Sequence, residues 1–183
     1  MTMMRKTLLL ALAGLLLCAC GNRAQEYRIH GRVSTNDLDG IQIFLVPLGH
    51  EEPWNVDSVY IRNHEFFFKG KEQWMCELRL DKHYRNRGQN LLVATEPGDI
   101  YVTIGPESSG GGTPQNDSLQ VWKELTIAVN KRDNILRRAG MRHELDSVRS
   151  AYKDRTRAMA LALGEDSIAG AFLLSLYPLP KSE

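Results

Sequence analysis

Cysteine occurs only three times in this sequence, and two of the three, Cys18 and Cys20, stand one residue apart behind an apolar run. The third, Cys76, cannot by itself run dithiol–disulfide exchange or close an internal disulfide. Histidine is sparse as well. His30, His50, His64, His83 and His143 are scattered, with neither an H-E-x-x-H spacing nor paired Cys/His positions, so no metal and no other cofactor is expected. Long apolar runs are missing: "TLLLALAGLLLC" is well short of the roughly twenty residues a spanning helix needs. An excess of one charge is missing too, with 23 Lys and Arg against 22 Asp and Glu. No basic block with interleaved aromatics offers nucleic acid a footprint, and "NKRDNILRRAGMRH" (130–143) reads as a solvated helix face.

Catalytic patterns are equally thin. Ser58 in "VDSVY" has no G-x-S-x-G elbow, and its neighbour Asp57 points to the other face of a strand. "SSGGGT" (108–113) lacks the Gly-Lys-Ser/Thr ending of a phosphate loop and reads as a hinge. Glu51-Glu52 and Glu165-Asp166 are acidic pairs, the first in a loop and the second where a helix N-terminus favours negative charge. No enzyme activity is expected.

What is present starts at the N-terminus. Arg5 and Lys6 precede the short apolar run, and small residues follow it, which is the layout of a secretory signal peptide. Leu17-Cys18-Ala19-Cys20 resembles a bacterial lipobox, with a leucine three before a cysteine and a small residue just before it. The resemblance implies removal of residues 1–19 and a thioether from Cys20 to a diacylglycerol, with palmitate-type chains holding the protein on a membrane. Cys18 would be discarded. Residues 20–26 would form the lipidated terminus and tether. The six residues from Gly21 to Glu26 reach at most roughly 20 Å, which keeps the folded part close to the membrane surface.

From 27 to 104 the hydrophobic period is two. "YRIHGRV", "IQIFLVP", "VDSVYIR", "EFFFKG", "WMCELRL", "NLLVATE" and "DIYVTI" give about seven short strands. Asn63-His64 reads as a hairpin turn, and Pro97-Gly98 suits a type II turn between the last two strands. Alternation puts Trp74, Cys76, Leu78 and Leu80 on one face, so Cys76 is expected to be a buried structural thiol. The spacing predicts a mainly β fold with α: an antiparallel β-sandwich or open barrel over 27–104. A Gly-rich loop follows over 105–115, then a helical extension over 116–183. The extension comprises a helical hairpin and a short C-terminal helix. Asn116, Asp117 and Ser118 offer N-cap chemistry for the first helix, and Asp166 or Ser167 for the last. His50 and Trp54 in "HEEPW" mark a candidate ligand-facing loop, because Trp54 is a large side chain in a polar segment.

The order "YRIHGRV", "DGIQIFLVPL", "VDSVYIRNHEFFFKG", "LLVATEPGDIYVTI", "GGGTPQNDSLQVW" and "EDSIAGAFLLSLYP" resembles the family called domain of unknown function 4369. This is the N-terminal domain of lipid-anchored thiol:disulfide interchange proteins of Bacteroidetes, and the likeness runs over about residues 25–177. In those proteins the catalytic Cys-x-x-Cys lies in a thioredoxin-like domain, and no residue here matches it. The resemblance therefore implies a fold and an envelope address without a redox site. The expectation is a non-catalytic envelope lipoprotein acting as a membrane-tethered binding or scaffolding module with an envelope protein partner. The alternative is an accessory that docks a separate thioredoxin-like oxidoreductase. A third reading is an unrecognised hydrolase or carbohydrate-binding protein. Gly21 after the lipidated cysteine, and no acidic run behind it, point to the outer membrane and its periplasmic face.

Overall fold

Alternation sorts β1 (Tyr27–Val33) into two faces, with Tyr27, Ile29 and Val33 buried and Arg28, His30 and Arg32 turned outward. The computed structural model describes residues 25–180. Further strands are β2 (Gln42–Pro47), β3 (Asp57–Tyr60), β4 (Glu65–Gly70), β5 (Met75–Leu80), β6 (Leu91–Ala94), β7 (Gly98–Ile104) and β8 (Ser109–Gly111). They form two four-stranded sheets, ordered β4-β1-β7-β8 and β3-β2-β5-β6. The inward rows meet in one core, where Ile29, Phe68 and Ile100 of the first sheet face Ile43, Leu78 and Val93 of the second. Burying such rows is what holds two sheets face to face.

The strands at 27–104 fall where alternation places them, and an eighth is added. "SSGGGT" is not a hinge: Ser109–Gly111 pairs antiparallel with β7. The loop read over 105–115 thus contains a strand and the first residues of a helix. One pairing, β1 with β7, is parallel; side-chain alternation carries no strand direction. Asn63 and His64 do turn the chain, both in the left-handed region with φ of 52° and 64°, and Arg62 bridges Glu65 across them. The strands on either side then diverge into different sheets. Pro97-Gly98 does join the last two of the expected strands, but across the sandwich. The chain crosses there from β6 in one sheet to β7 in the other, with Gly98 at φ 133°.

Gly31 faces inward opposite Phe66, and a Cβ at Gly31 would run into the Phe66 ring. Gly31→Ala is expected to cost about 1–3 kcal/mol through overpacking. The check is a lower urea midpoint with an unchanged slope; an unmoved midpoint would contradict it.

The helices are α1 (Pro114–Arg138), α2 (Arg142–Leu163) and α3 (Ile168–Leu176). Helices α1 and α3 pack on the outer face of the second sheet at its β5–β6 end, and α2 packs on both of them. Met75 and Ala94 pack there with Leu119 and Ala169, beside Leu92, Trp122 and Phe172. The helical part is therefore the third layer of the fold rather than an appended piece. Thr113 takes the N-cap position of α1 with Pro114 at N1. Asn116, expected as a cap, is buried and serves the sheet instead. Its amide accepts from Ala94 N–H at 3.0 Å and donates to the Ala94 carbonyl at 2.8 Å, continuing the ladder past the edge strand β6. Ser167 caps α3 as expected, accepting from Gly170 N–H. The basic stretch at 130–143 is not solvated throughout. Asp133 is buried there, and it joins α1 to α2 through Arg137 and Arg149.

Candidate functional site

Away from β8, where α1 packs, the outer face of the first sheet is open. The register lines up Phe67 of β4, His30 of β1 and Tyr101 of β7 in a single row across three strands. The His30 ring stacks on Tyr101 (centroids 5.1 Å apart, planes 19°) and tilts against Phe67 (5.2 Å, 58°). Tyr101 is 59% and Phe67 44% exposed. On one side of the row, Asp99 accepts two bonds from the Arg28 guanidinium, 2.7 Å to Nε and 2.8 Å to Nη2. Its Oδ1 also lies 2.8 Å from His30 Nε2. On the other side Arg32 pairs with Glu65 at 3.3 Å. A depression of about 750 Å³ runs over this row.

Paired guanidinium nitrogens fix a carboxylate in plane, and Asp99 in turn orients the imidazole. The unit is a stiff aromatic ridge with charged flanks, suited to gripping a partner's surface. Alternation alone places His30 outward, as the structure has it. Phe67 and Tyr101 were passed over. Their signal was available: in "EFFFKG" and "DIYVTI" they are the aromatic residues at outward positions.

Arg28, then His30, hold the Asp99 carboxyl well below the usual carboxylate range. Its folded pKa lies below the unfolded one, so ionised Asp99 stabilises the fold above about pH 4. That contribution is lost as pH falls toward the lower folded value. The stability gap between the native chain and Asp99→Asn is therefore expected to be widest near neutral pH. It should shrink between about pH 5 and pH 2. Urea midpoints across that range check it, and a gap independent of pH would contradict it.

Cys20 lies outside the described residues. His50 and Trp54 sit in the loop between β2 and β3, at the end of the sandwich where β1 begins. Trp54 is 79% exposed and lines a cavity of about 290 Å³ whose walls include Tyr27, Asp57, Lys69, Glu72 and Trp74. His50 does not line that cavity. Its ring stacks on Trp74 at 5.5 Å, bracing the wall from outside. The expected loop therefore contributes one cavity residue and one support. Cys76 also borders the cavity, and burial pushes its thiol up to about 12. At neutral pH it stays protonated, consistent with a structural role.

Among the described residues no helix is long and apolar enough to cross a membrane, and no cluster of His, Cys, Asp or Glu could hold a metal ion. No curated protein matches the chain. The family model described as Domain of unknown function (DUF4369) matches residues 27–119. That span takes in the whole sandwich, β8 and the first turn of α1 with Asn116. On that match, over half of the sequence, the chain belongs to the DUF4369 family.

Proposed function

We propose that this protein is a lipid-anchored module of the bacterial envelope that binds or positions another envelope protein and catalyses no reaction itself. The observation that carries this reading is the asymmetry of the sandwich. Helices α1 and α3 pack over the β5–β6 end of one sheet, while the other presents Phe67, His30 and Tyr101 in a row with charged groups fixed beside them. Exposed aromatics rimmed by polar residues mark interaction surfaces. Cys20, bearing a diacylglycerol, is the anchor. The address is the periplasmic face of the outer membrane, as Gly21 after the cysteine suggests.

The resemblance to the N-terminal domain of thiol:disulfide interchange proteins supports an alternative partner, a separate thioredoxin-like oxidoreductase. In that version the electrons belong to the partner, since Cys76 is buried and protonated. A photo-crosslinking residue in place of Tyr101, expressed in the native envelope, tests the module reading. A discrete adduct is expected from that position, lost when Phe67 is also changed to Asp, and not formed from exposed Lys131 on α1. Adducts of equal yield from Lys131, or none from Tyr101, would contradict it. A thioredoxin-like protein in the adduct would select the second version.

A further inference from the structure

We propose that the cavity at the start of β1 takes the headgroup of an aminophospholipid, with Trp54 and Trp74 against its ammonium, Asp57 and Glu72 as counter-charges, and Lys69 toward its phosphate. The inference rests on the anchored reading above for the source of the headgroup and for the cavity's nearness to it.

Three observations carry it. The first is position. Glu26 leads directly into β1 and its carbonyl accepts from Gly98 N–H at this end of the sandwich. The proposed lipid on Cys20 is six residues away, at most roughly 20 Å when extended. On that reading the cavity lies at the end of the sandwich nearest the anchor. The second is Trp54, whose 79% exposure is the highest among the large hydrophobic side chains of the described residues. An indole with an apolar body and one N–H is the side chain that settles at the depth of lipid headgroups.

The third is the chemistry of the walls. Aromatic faces attract ammonium groups, and two carboxylates with one ammonium side chain complement a zwitterion. Asp57 uses one oxygen on Ser58 N–H (2.7 Å) and Glu72 one on Lys71 N–H (3.3 Å); each has a second oxygen. Burial first, then Cys76, Asp57 and Glu72, pushes the Tyr27 hydroxyl up to about 12, so Tyr27 enters as a neutral hydroxyl. A headgroup with phosphate but no ammonium would meet two carboxylates and only one lysine.

The full lipoprotein in neutral non-ionic detergent, labelled with ¹⁵N at its indoles, tests this. The chain has three tryptophans, hence three indole N–H signals. Glycerophosphoethanolamine is expected to move those of Trp54 and Trp74 and to leave that of Trp122, which packs under the helices. In the Asp57→Asn, Glu72→Gln double variant the half-saturating concentration should rise about tenfold, with the Trp122 signal reporting that the variant is folded. No movement with the native chain would overturn the proposal. So would equal movement by glycerophosphoglycerol or inorganic phosphate. The mass at Cys20 reads the anchor independently, so either idea can fail alone.

Discussion

Asn116→Leu is expected to lower the unfolding free energy by about 3 kcal/mol, because it leaves two buried backbone groups without partners. The Asn116 amide engages both the N–H and the carbonyl of Ala94, and it also donates to the Thr113 hydroxyl at 2.8 Å. Leucine has nearly the same bulk and none of those bonds. β6 is the last strand of its sheet, so water cannot replace Asn116 beneath α1 without prying the helix away. The same bonds make the sandwich and the helices one cooperative unit. Glu96 reinforces this by accepting from Gln115 N–H at 2.7 Å, while Gln115 Oε1 accepts from Ala169 N–H at 2.8 Å. Urea unfolding should show one transition, displaced downward in the variant. A loss below about 1 kcal/mol or a separate helical transition would contradict this account.

Cys20→Ala is expected to abolish labelling of the chain by fatty acid and to leave residues 1–19 attached, whereas Cys18→Ala should change neither. The difference is all-or-none, since the thioether can form only on a sulfur. Its energetic weight is large: each buried CH₂ contributes about 0.8 kcal/mol, and one acyl chain alone binds marginally where two bind stably. Metabolic labelling followed by gel mobility of the native and variant chains checks it. Label retained in Cys20→Ala, or lost in Cys18→Ala, would move the anchor to another residue.

Much of the sandwich was legible because each buried row repeats at period two. Ile29 and Val33, Phe66 and Phe68, and Ile100, Val102 and Ile104 sit inward as their spacing demands. β8 was not legible, since Gly110 and Gly111 carry no side chain to alternate. The structure supplies a reason for glycine there: a Cβ on Gly110 would press on Leu91 and Val102 at 3.2 and 3.3 Å. The parallel pairing of β1 with β7 depends on where the chain crosses between sheets, which no local pattern encodes. Asn116 was misassigned because its position two residues past a proline fits a cap as well as a strand-edge ligand, and only the fold brings Ala94 to it. The loop at 50–54 was singled out for its tryptophan. Trp54 does line a cavity, while the row on the open sheet is assembled from three strands far apart in sequence. Each member read alone as an ordinary outward residue.

The proposed function presupposes a domain held at a membrane by its first mature residue, Cys20. The most direct measurement is the mass of the N-terminal peptide of the protein taken from native membranes. It should begin at residue 20 and carry a diacylglycerol on sulfur. A peptide starting elsewhere, or an unmodified Cys20, would contradict the account at its root.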